Sequence, residues 1–483
     1  MVANINFVPE DVVGLDPSEF DNLHKLLDVY QYHLSKNEEK NKYYEGNIRV
    51  ADVNLGIALP KTMRNLEIGC SWGAKTVDVL ASRSMFDGFV GLNGSDVSEL
   101  TYITLNNNLI AEYSKACRDE LKYGCTFATL SADTKIGCKI RFHSPQTAAA
   151  LWDGEKGRIK CGLAIIDTVQ DEFDQNMWHP IHINYYTDDA SWSFEYIDGE
   201  WIATKWKNQM GRPMMEALIW NATSNKPFGR SRIKEPIRNL IDGYVRTLVN
   251  ATIGLEFATS PQKYLLGVSD DQYDAIVNDK FKQYVGSIIA ATNNPETGEK
   301  PTFGQLQQGT INPHVEMIRL LATQFSAATG LSVTDTGIIN DANPTSSDAI
   351  LAQSQTLIAM AEALNKGNGY SLRTIANMAL AISRNVSLDS LGEEDVDVIA
   401  HFKNPAMPSV AVTTDAAIKI ASAREGFANT DVFLEMIGFD QAQIRRIKSE
   451  EQKTRGLQLL EEITEEEVEA PEEEVTENAD IGE

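Results

Sequence analysis

The sequence is poor in the groups that usually carry chemistry. Its 483 residues hold seven histidines and five cysteines. The thiols Cys70, Cys117, Cys125, Cys138 and Cys161 are odd in number and form no Cys-x-x-Cys pair, which predicts reduced, intracellular, buried cysteines. Gly-x-Gly-x-x-Gly and His-Glu-x-x-His are both absent. The only close histidine pair is His179-Pro-Ile-His182, and Pro180 in β-rich surroundings does not suit two imidazoles sharing a helix face. These absences argue against an enzyme and predict no metal and no cofactor. Long apolar runs are missing too: Ala349–Ala361 is interrupted by Gln353, Ser354, Gln355 and Thr356, so no membrane-spanning helix is expected. The first ten residues lack a basic start and do not read as a secretory signal.

Positive charge is the other scarcity. Lys and Arg number 43 against 69 Asp and Glu, a net charge of −26. The last 23 residues, Glu461–Glu483, carry 12 of the acids and no base. Such a chain is unsuited to gripping nucleic acid through counterion release. It suits solubility, or a surface past which a polyanion slides. What is present is ordinary: 42% hydrophobic and 23% charged residues, with length for about three domains.

The periodicities predict an α+β protein. Phe20, Leu23, Leu26, Leu27, Tyr30 and Leu34 mark a helix over 17–42, with Asp16 as its N-cap and Pro17 in its first turn. Further helices are expected over 72–85 and 103–123. Short strands follow at 125–131, 139–144, 161–168, 181–187, 192–197 and 200–207, as an antiparallel meander with a tight hairpin at Asp198-Gly199. A long helix is expected from Ser231 to about Phe257, with Pro236 delaying its regular part. Strands at 264–267 and 303–306 flank a helix over 271–292. Another helix runs from Pro313 to Thr329 and is stopped by Gly330. After the loop Leu331–Pro344, Thr345-Ser-Ser-Asp348 reads as a capping box for a helix reaching about Asn385, with a weak point at Gly367-Asn-Gly369. A strand at 396–402 and three helices over 414–426, 430–437 and 440–456 complete the chain. The acidic end is expected to be disordered.

Two stretches invite a functional reading. Gly69-Cys-Ser-Trp-Gly-Ala-Lys75-Thr76 approaches the phosphate-binding pattern, and Leu163-Ala-Ile-Ile-Asp167 approaches the strand and acid that hold magnesium. Together they would make a nucleoside triphosphatase using Lys75 and Asp167. Ala74 stands where a glycine is required, however, and the surrounding helices and antiparallel strands do not form an alternating β-α sheet. The blander reading is a helix start and a buried strand. The second stretch lies between Lys205 and Arg246, where nine bases face only Glu216, Glu235 and Asp242. Arg230, Arg232, Lys234 and Arg238 could meet DNA or an acidic partner, or form a solvated face or ion pairs with a neighbouring subunit.

The order of several short stretches resembles the portal proteins of long-tailed, siphovirus-type double-stranded DNA bacteriophages. They are Tyr43-Tyr44-Glu-Gly46 with Leu55-Gly56 and Pro60; Trp72, Val77-Asp78, Arg83 and Gly88-Phe89; Phe228-Gly229-Arg230-Ser231; Ser260-Pro261-Gln262-Lys263-Tyr264 with Gly267; Asn343-Pro344-Thr345-Ser346-Ser347-Asp348-Ala349; and Asp415-Ala416-Ala417-Ile418-Lys419. The resemblance covers roughly residues 20–455. It implies a ring, usually of about twelve subunits, at one capsid vertex. DNA enters through it, driven by the terminase large subunit, and leaves through head-completion adaptors and tail. Its other partners are the major capsid and scaffolding proteins; no membrane is involved. Its place is the virion, after assembly in the host cytoplasm.

Carried onto this sequence, the resemblance implies a wing at 1–229, stem helix 1 at 230–257, a clip at 258–312 and stem helix 2 at 313–330. A tunnel loop follows at 331–345, then the long wing helix and strand at 346–408, a crown at 409–456 and an acidic tail at 457–483. Thr334, Asp335, Thr336, Ile338, Ile339, Asn340, Asp341 and Asn343 would face DNA. Arg230, Arg232, Lys234 and Arg238 would form a basic belt near the stem. Lys263, Tyr264, Lys300 and Phe303 of the clip would meet terminase or adaptor.

Overall fold

The computed structural model describes residues 5, 7–49, 67–92, 97–171, 178–259, 263–267, 271, 274, 293, 298, 300–305, 310–337, 347–392, 395, 397–406 and 410–468. They divide into two units, Met1–Ala400 and His401–Glu483. The first begins with α1 (Phe20–Glu45), the ladder of β1 (Asn47–Arg49) and β2 (Glu67–Gly69), α2 (Trp72–Ala81), β3 (Phe86–Gly91), α3 (Ser98–Asn106) and α4 (Leu109–Tyr123). Eight strands follow: β4 (Cys125–Asp133), β5 (Gly137–His143), β6 (Ala148–Asp153), β7 (Arg158–Gln170), β8 (Trp178–Tyr186), β9 (Ala190–Ile197), β10 (Glu200–Lys207) and β11 (Met215–Ile219). Then come α5 (Glu235–Thr259), β12 (Lys263–Leu266), β13 (Thr302–Gln305), α6 (Asn312–Thr329) and α7 (Ser347–Ser383), and the chain leaves along β14 (Val398–Phe402). The second unit holds α8 (Val410–Ala423), α9 (Asp431–Ile437) and α10 (Gln441–Val468).

The expected meander resolves into two sheets. Strands β6 to β10 form one antiparallel sheet in sequence order, and β11-β4-β5 form the other. Small residues let them close on each other. Ala148, Ala150 and Ala164 pack with Phe127, Met215 and Ala217, and Met215 occupies the space where a Cβ on Gly162 would stand. The other face of the larger sheet is covered by α1, whose Leu23, Leu26, Leu27 and Tyr30 meet Leu163, Ile183, Tyr185, Trp192 and Phe194. Each stripe is a period of its element, 3.6 on the helix and 2 on the strands. The Asp198-Gly199 hairpin is present, with φ 50° and 94° at the two residues and Ile197 paired with Glu200.

Other expectations need correction. Pro17–Glu19 is a 3-10 turn, and Asp16 makes no cap; it pairs with Lys205 at 2.7 Å. The single helix expected over 103–123 is two. Asn108 has φ 48°, and Asn107 turns inward, donating to the carbonyls of Ile103 and Cys138 and accepting from Ile140 N–H. An asparagine that offers the backbone local partners favours such a break. The helix after Trp72 stops at Ala81, because β3 begins at Phe86. α5 starts at Glu235, a turn after Ser231, as Pro236 requires. α7 runs unbroken through Gly367-Asn-Gly369. α10 continues to Val468, past the boundary set for a disordered tail; Leu457-Gln-Leu-Leu-Glu-Glu are strong helix formers. The helix expected over 271–292 and the Thr345–Asp348 capping box fall wholly or partly outside the described residues.

Candidate functional site

The sheets hand over to the long helices at Phe228-Gly229-Arg230-Ser231. Gly229 has φ 70°, and a Cβ there would stand 2.1 Å from the Trp220 carbonyl and 2.8 Å from that of Gly124, so only glycine fits. Arg230 N–H donates to Trp220 O at 3.1 Å and Arg232 N–H to Leu121 O at 2.9 Å. The chain is thus sewn to the end of α4 before α5 begins.

α5 and α6 pack antiparallel, the start of one beside the end of the other. The Arg232 side chain marks that meeting. It is buried, with Nε donating to Thr76 O of α2 at 2.6 Å and one terminal nitrogen to Thr329 O, the last carbonyl of α6, at 2.8 Å. The other terminal nitrogen lies 3.5 Å from Met360 Sδ on α7. Burial pulls this guanidinium down to about 10, which still leaves it charged at neutral pH. The C-terminal carbonyls of a helix carry partial negative charge and suit a cation. Trp72 sits between the two helices, its ring centroid 4.4 Å from Tyr244 of α5 and 4.6 Å from Phe325 of α6.

Gly330, at φ 73°, ends α6. The chain then forms a folded turn. Thr334–Thr336 is a 3-10 helix, and Asp335 accepts from Ser332 N–H at 3.0 Å and from its hydroxyl at 2.7 Å. α2 grips this turn. Trp72 Nε1 donates to Thr336 O at 3.3 Å, and Lys75 Nζ donates to Asp335 O.

These contacts place the sequence-predicted residues. Among the loop residues, Thr334 is exposed, Asp335 half-buried and Thr336 buried; Ile338, Ile339, Asn340, Asp341 and Asn343 lie outside the described residues. Of the four bases, Arg230 and Lys234 are exposed. Arg238 lies 3.6 Å from Glu39 and over the Tyr43 ring. Arg232 cannot belong to an exposed belt, since the backbone path set by Gly229 turns it into the core. Lys263 and Tyr264 are on β12, which pairs antiparallel with β13, where Phe303 stands opposite Leu265. Tyr264 and Phe303 are exposed, as is Lys300.

The phosphate-loop look-alike is a different object. Among the described residues β2 pairs only with β1, antiparallel, and Lys75 is engaged by Asp335 O. A Cβ on Gly73 would stand 2.0 Å from Tyr43 O, so that glycine serves the packing of α2 on α1. Asp167 is exposed on β7, and among the described residues no hydrogen bond or ion pair joins it to Lys75. His179 meets Asp171 and His182 meets Ser193. Among the described residues no three His, Cys, Asp or Glu converge as a metal site. All five cysteines are buried and unpaired, with burial pushing Cys70 up to about 11 and Cys125, Cys138 and Cys161 up to about 12.

Sequence reasoning missed a second buried polar group. Glu120 of α4 is wholly buried, and Oε2 accepts from Asn368 Nδ2 of α7 at 2.7 Å. The same amide reaches Tyr113 OH at 2.9 Å, which lies 2.7 Å from Ser84 Oγ. Burial pushes Glu120 up to about 8. The one signal was Asn368 between two glycines of α7.

Among the described residues no helix is long and apolar enough to cross a membrane. No curated protein matches the chain. The solved structures similar to it include two particle necks. A chain from the "Neck of empty GTA particle computed with C6 symmetry" shares 11% identity, covering 76% of this chain and 89% of that one, at a TM-score of 0.45. A chain from the "Neck of native GTA particle computed with C12 symmetry" shares 11% over the same fractions, at 0.42. The model of the family "Phage portal protein, SPP1 Gp6-like" matches residues 23–456, from the first turn of α1 into α10, and the chain belongs to that family of virion proteins.

Proposed function

We propose that about twelve copies of this chain close into a ring at one capsid vertex, and that double-stranded DNA passes through its centre. α5 and α6 are the stem, β12 and β13 part of the clip, and the loop after Gly330 the tunnel loop. The sheets with α7 make the wing, and α8 to α10 the crown. The observation that carries the reading is the family match over 23–456. The acidic body supports it, because a conduit that bound phosphate tightly would stall its cargo. Arg230 and Lys234 offer the ring weak contacts to phosphates, which carry no sequence information. The terminase large subunit pushes DNA in and consumes the ATP, and the portal hydrolyses nothing. A head-completion adaptor later docks on the clip at Tyr264, Lys300 and Phe303. Capsid and scaffolding proteins surround the wing, after assembly in the host cytoplasm.

Negative-stain electron microscopy of the purified full-length protein tests this. Axial views should display a closed ring with a hole wide enough for duplex DNA. A shell or a filament would sink the reading, and so would a monomer with ATPase activity lost in Lys75→Ala.

A further inference from the structure

The stretch that imitates a phosphate loop has work of another kind. Its tryptophan, lysine and threonine all reach elements far away in sequence. Trp72 is stacked between α5 and α6 and holds Thr336 O. Lys75 holds Asp335 O. Thr76 O receives Arg232, which also holds Thr329 O. The acceptors in these four bonds are all main-chain carbonyls, so the bonds fix the course of the backbone rather than one rotamer. Two of the carbonyls belong to the first turn of the loop, and a third ends the helix before it.

We propose that Trp72, Lys75 and Arg232 are positioning residues. They join the adjoining ends of α5 and α6 and the turn Leu331–Thr336 to α2 as one bracket. Thr334, Asp335 and Thr336 therefore belong to the bracket, and do not take hold of passing DNA. The bracket itself stands on the contacts alone; its role in DNA passage rests on the portal reading.

Ordinary helix packing would give the same burial but would not depend on the donors. Trp72→Phe keeps an aromatic ring between Tyr244 and Phe325 but loses the pyrrole half of the indole together with Nε1–H, so Lys75→Met alone is read beside it as the control for the space left. Lys75→Met keeps the aliphatic stem and loses only the ammonium. The test is amide hydrogen exchange on the purified full-length protein carrying both changes. The probes are Asp335, Thr336 and Gly337, whose N–H groups close the turn onto Ser332, Val333 and Thr334. Exchange there should rise about tenfold, the effect of two lost hydrogen bonds, with β7–β9 unchanged. An unchanged rate at the three amides would overturn the bracket. A rise spread equally over β7–β9 would do so too, because it would mean general loosening.

Arg232→Lys separates charge from fork. One ammonium keeps the cation at the end of α6 but cannot reach Thr76 O and Thr329 O as the guanidinium does. Melting temperature should recover more fully in Arg232→Lys than in Arg232→Met, while fast exchange at 335–337 persists; recovery of both would reduce Arg232 to a buried charge. Microscopy and DNA filling of heads are then read on the double variant. Intact rings that fill less DNA support the role in passage. Intact rings that fill normally remove that role and leave the bracket. Absence of rings in the unaltered protein removes the portal reading instead.

Discussion

Among the described residues two ionisable side chains, Arg232 and Glu120, are buried without an opposite charge, and they solve the problem differently. Arg232 keeps its charge and surrounds it with carbonyls, one of them at the negative end of a helix. Glu120 meets a single amide and gives up its charge instead, burial holding it protonated at neutral pH. The difference follows from where each starts. An arginine must be moved by several pH units before it is neutral, so the fold has to supply acceptors. A carboxyl needs a smaller push, so one hydrogen bond and a dry site suffice. The first solution is rigid and insensitive to pH; the second varies with pH.

The sharpest way to break the comparison is Arg232→Met. It leaves Thr76 O and Thr329 O without the guanidinium and should destabilise the protein by about 3–5 kcal/mol, on the scale of losing one partner from a buried polar set. A urea titration measures this; a cost under about 1 kcal/mol would mean the carbonyls find other partners. Glu120→Gln should act next, through pH. The folded value near 8 lies above the ordinary 4.5, so the folded state holds a proton that the unfolded chain has lost. The group's contribution is fully present below about pH 4.5 and falls as pH rises to about 8, by about 1.4 kcal/mol per unit. Urea midpoints of Glu120→Gln should lack that slope, and the variant should be the more stable protein at pH 8. A parallel slope in both would place the titration elsewhere.

Asn368→Ala removes the amide from Glu120 and Tyr113 together. It should cost about 1–2 kcal/mol and move the pH slope further up, since the lost bond favoured the ionised form. Asp167→Ala supplies the baseline. That carboxylate is exposed, so stability should change by under about 0.5 kcal/mol, and any ATPase background should be unaffected.

Much of the fold was legible because local and tertiary preferences agreed. The stripe from Phe20 to Leu34 belongs to α1, and Asp198-Gly199 makes its hairpin. The misses have one cause. Asn107 breaks a helix because Cys138 and Ile140 are there to receive it, and nothing within 103–123 announces them. The second sheet depends on Gly162 accommodating Met215, 53 positions later. The functional region was half legible for the same reason. Gly229 was visible as part of a motif, but Arg232 looked like one more base in a basic segment. Its role is decided by Thr76 and Thr329, each about 100 positions or more away. Lys75 drew notice for the wrong partner.

α7 deserves one piece of geometry. At about 1.5 Å per residue its 37 residues span about 55 Å. Asn368, held by Glu120 and Tyr113, is near the middle. Met360 beside Arg232 is on one arm, and Ser383, bonded to Glu99 at 2.8 Å, is at the end of the other. A rod held near its centre, at Ser371 by the Ala217 carbonyl and at its end by Glu99 is clamped, and moves only with the sheet and helices that hold it. Tilting it by about 5° would displace the two ends by about 2 Å each, in opposite directions. A tilt of that size would therefore have to break the bonds at Asn368, Ser371 and Ser383 together.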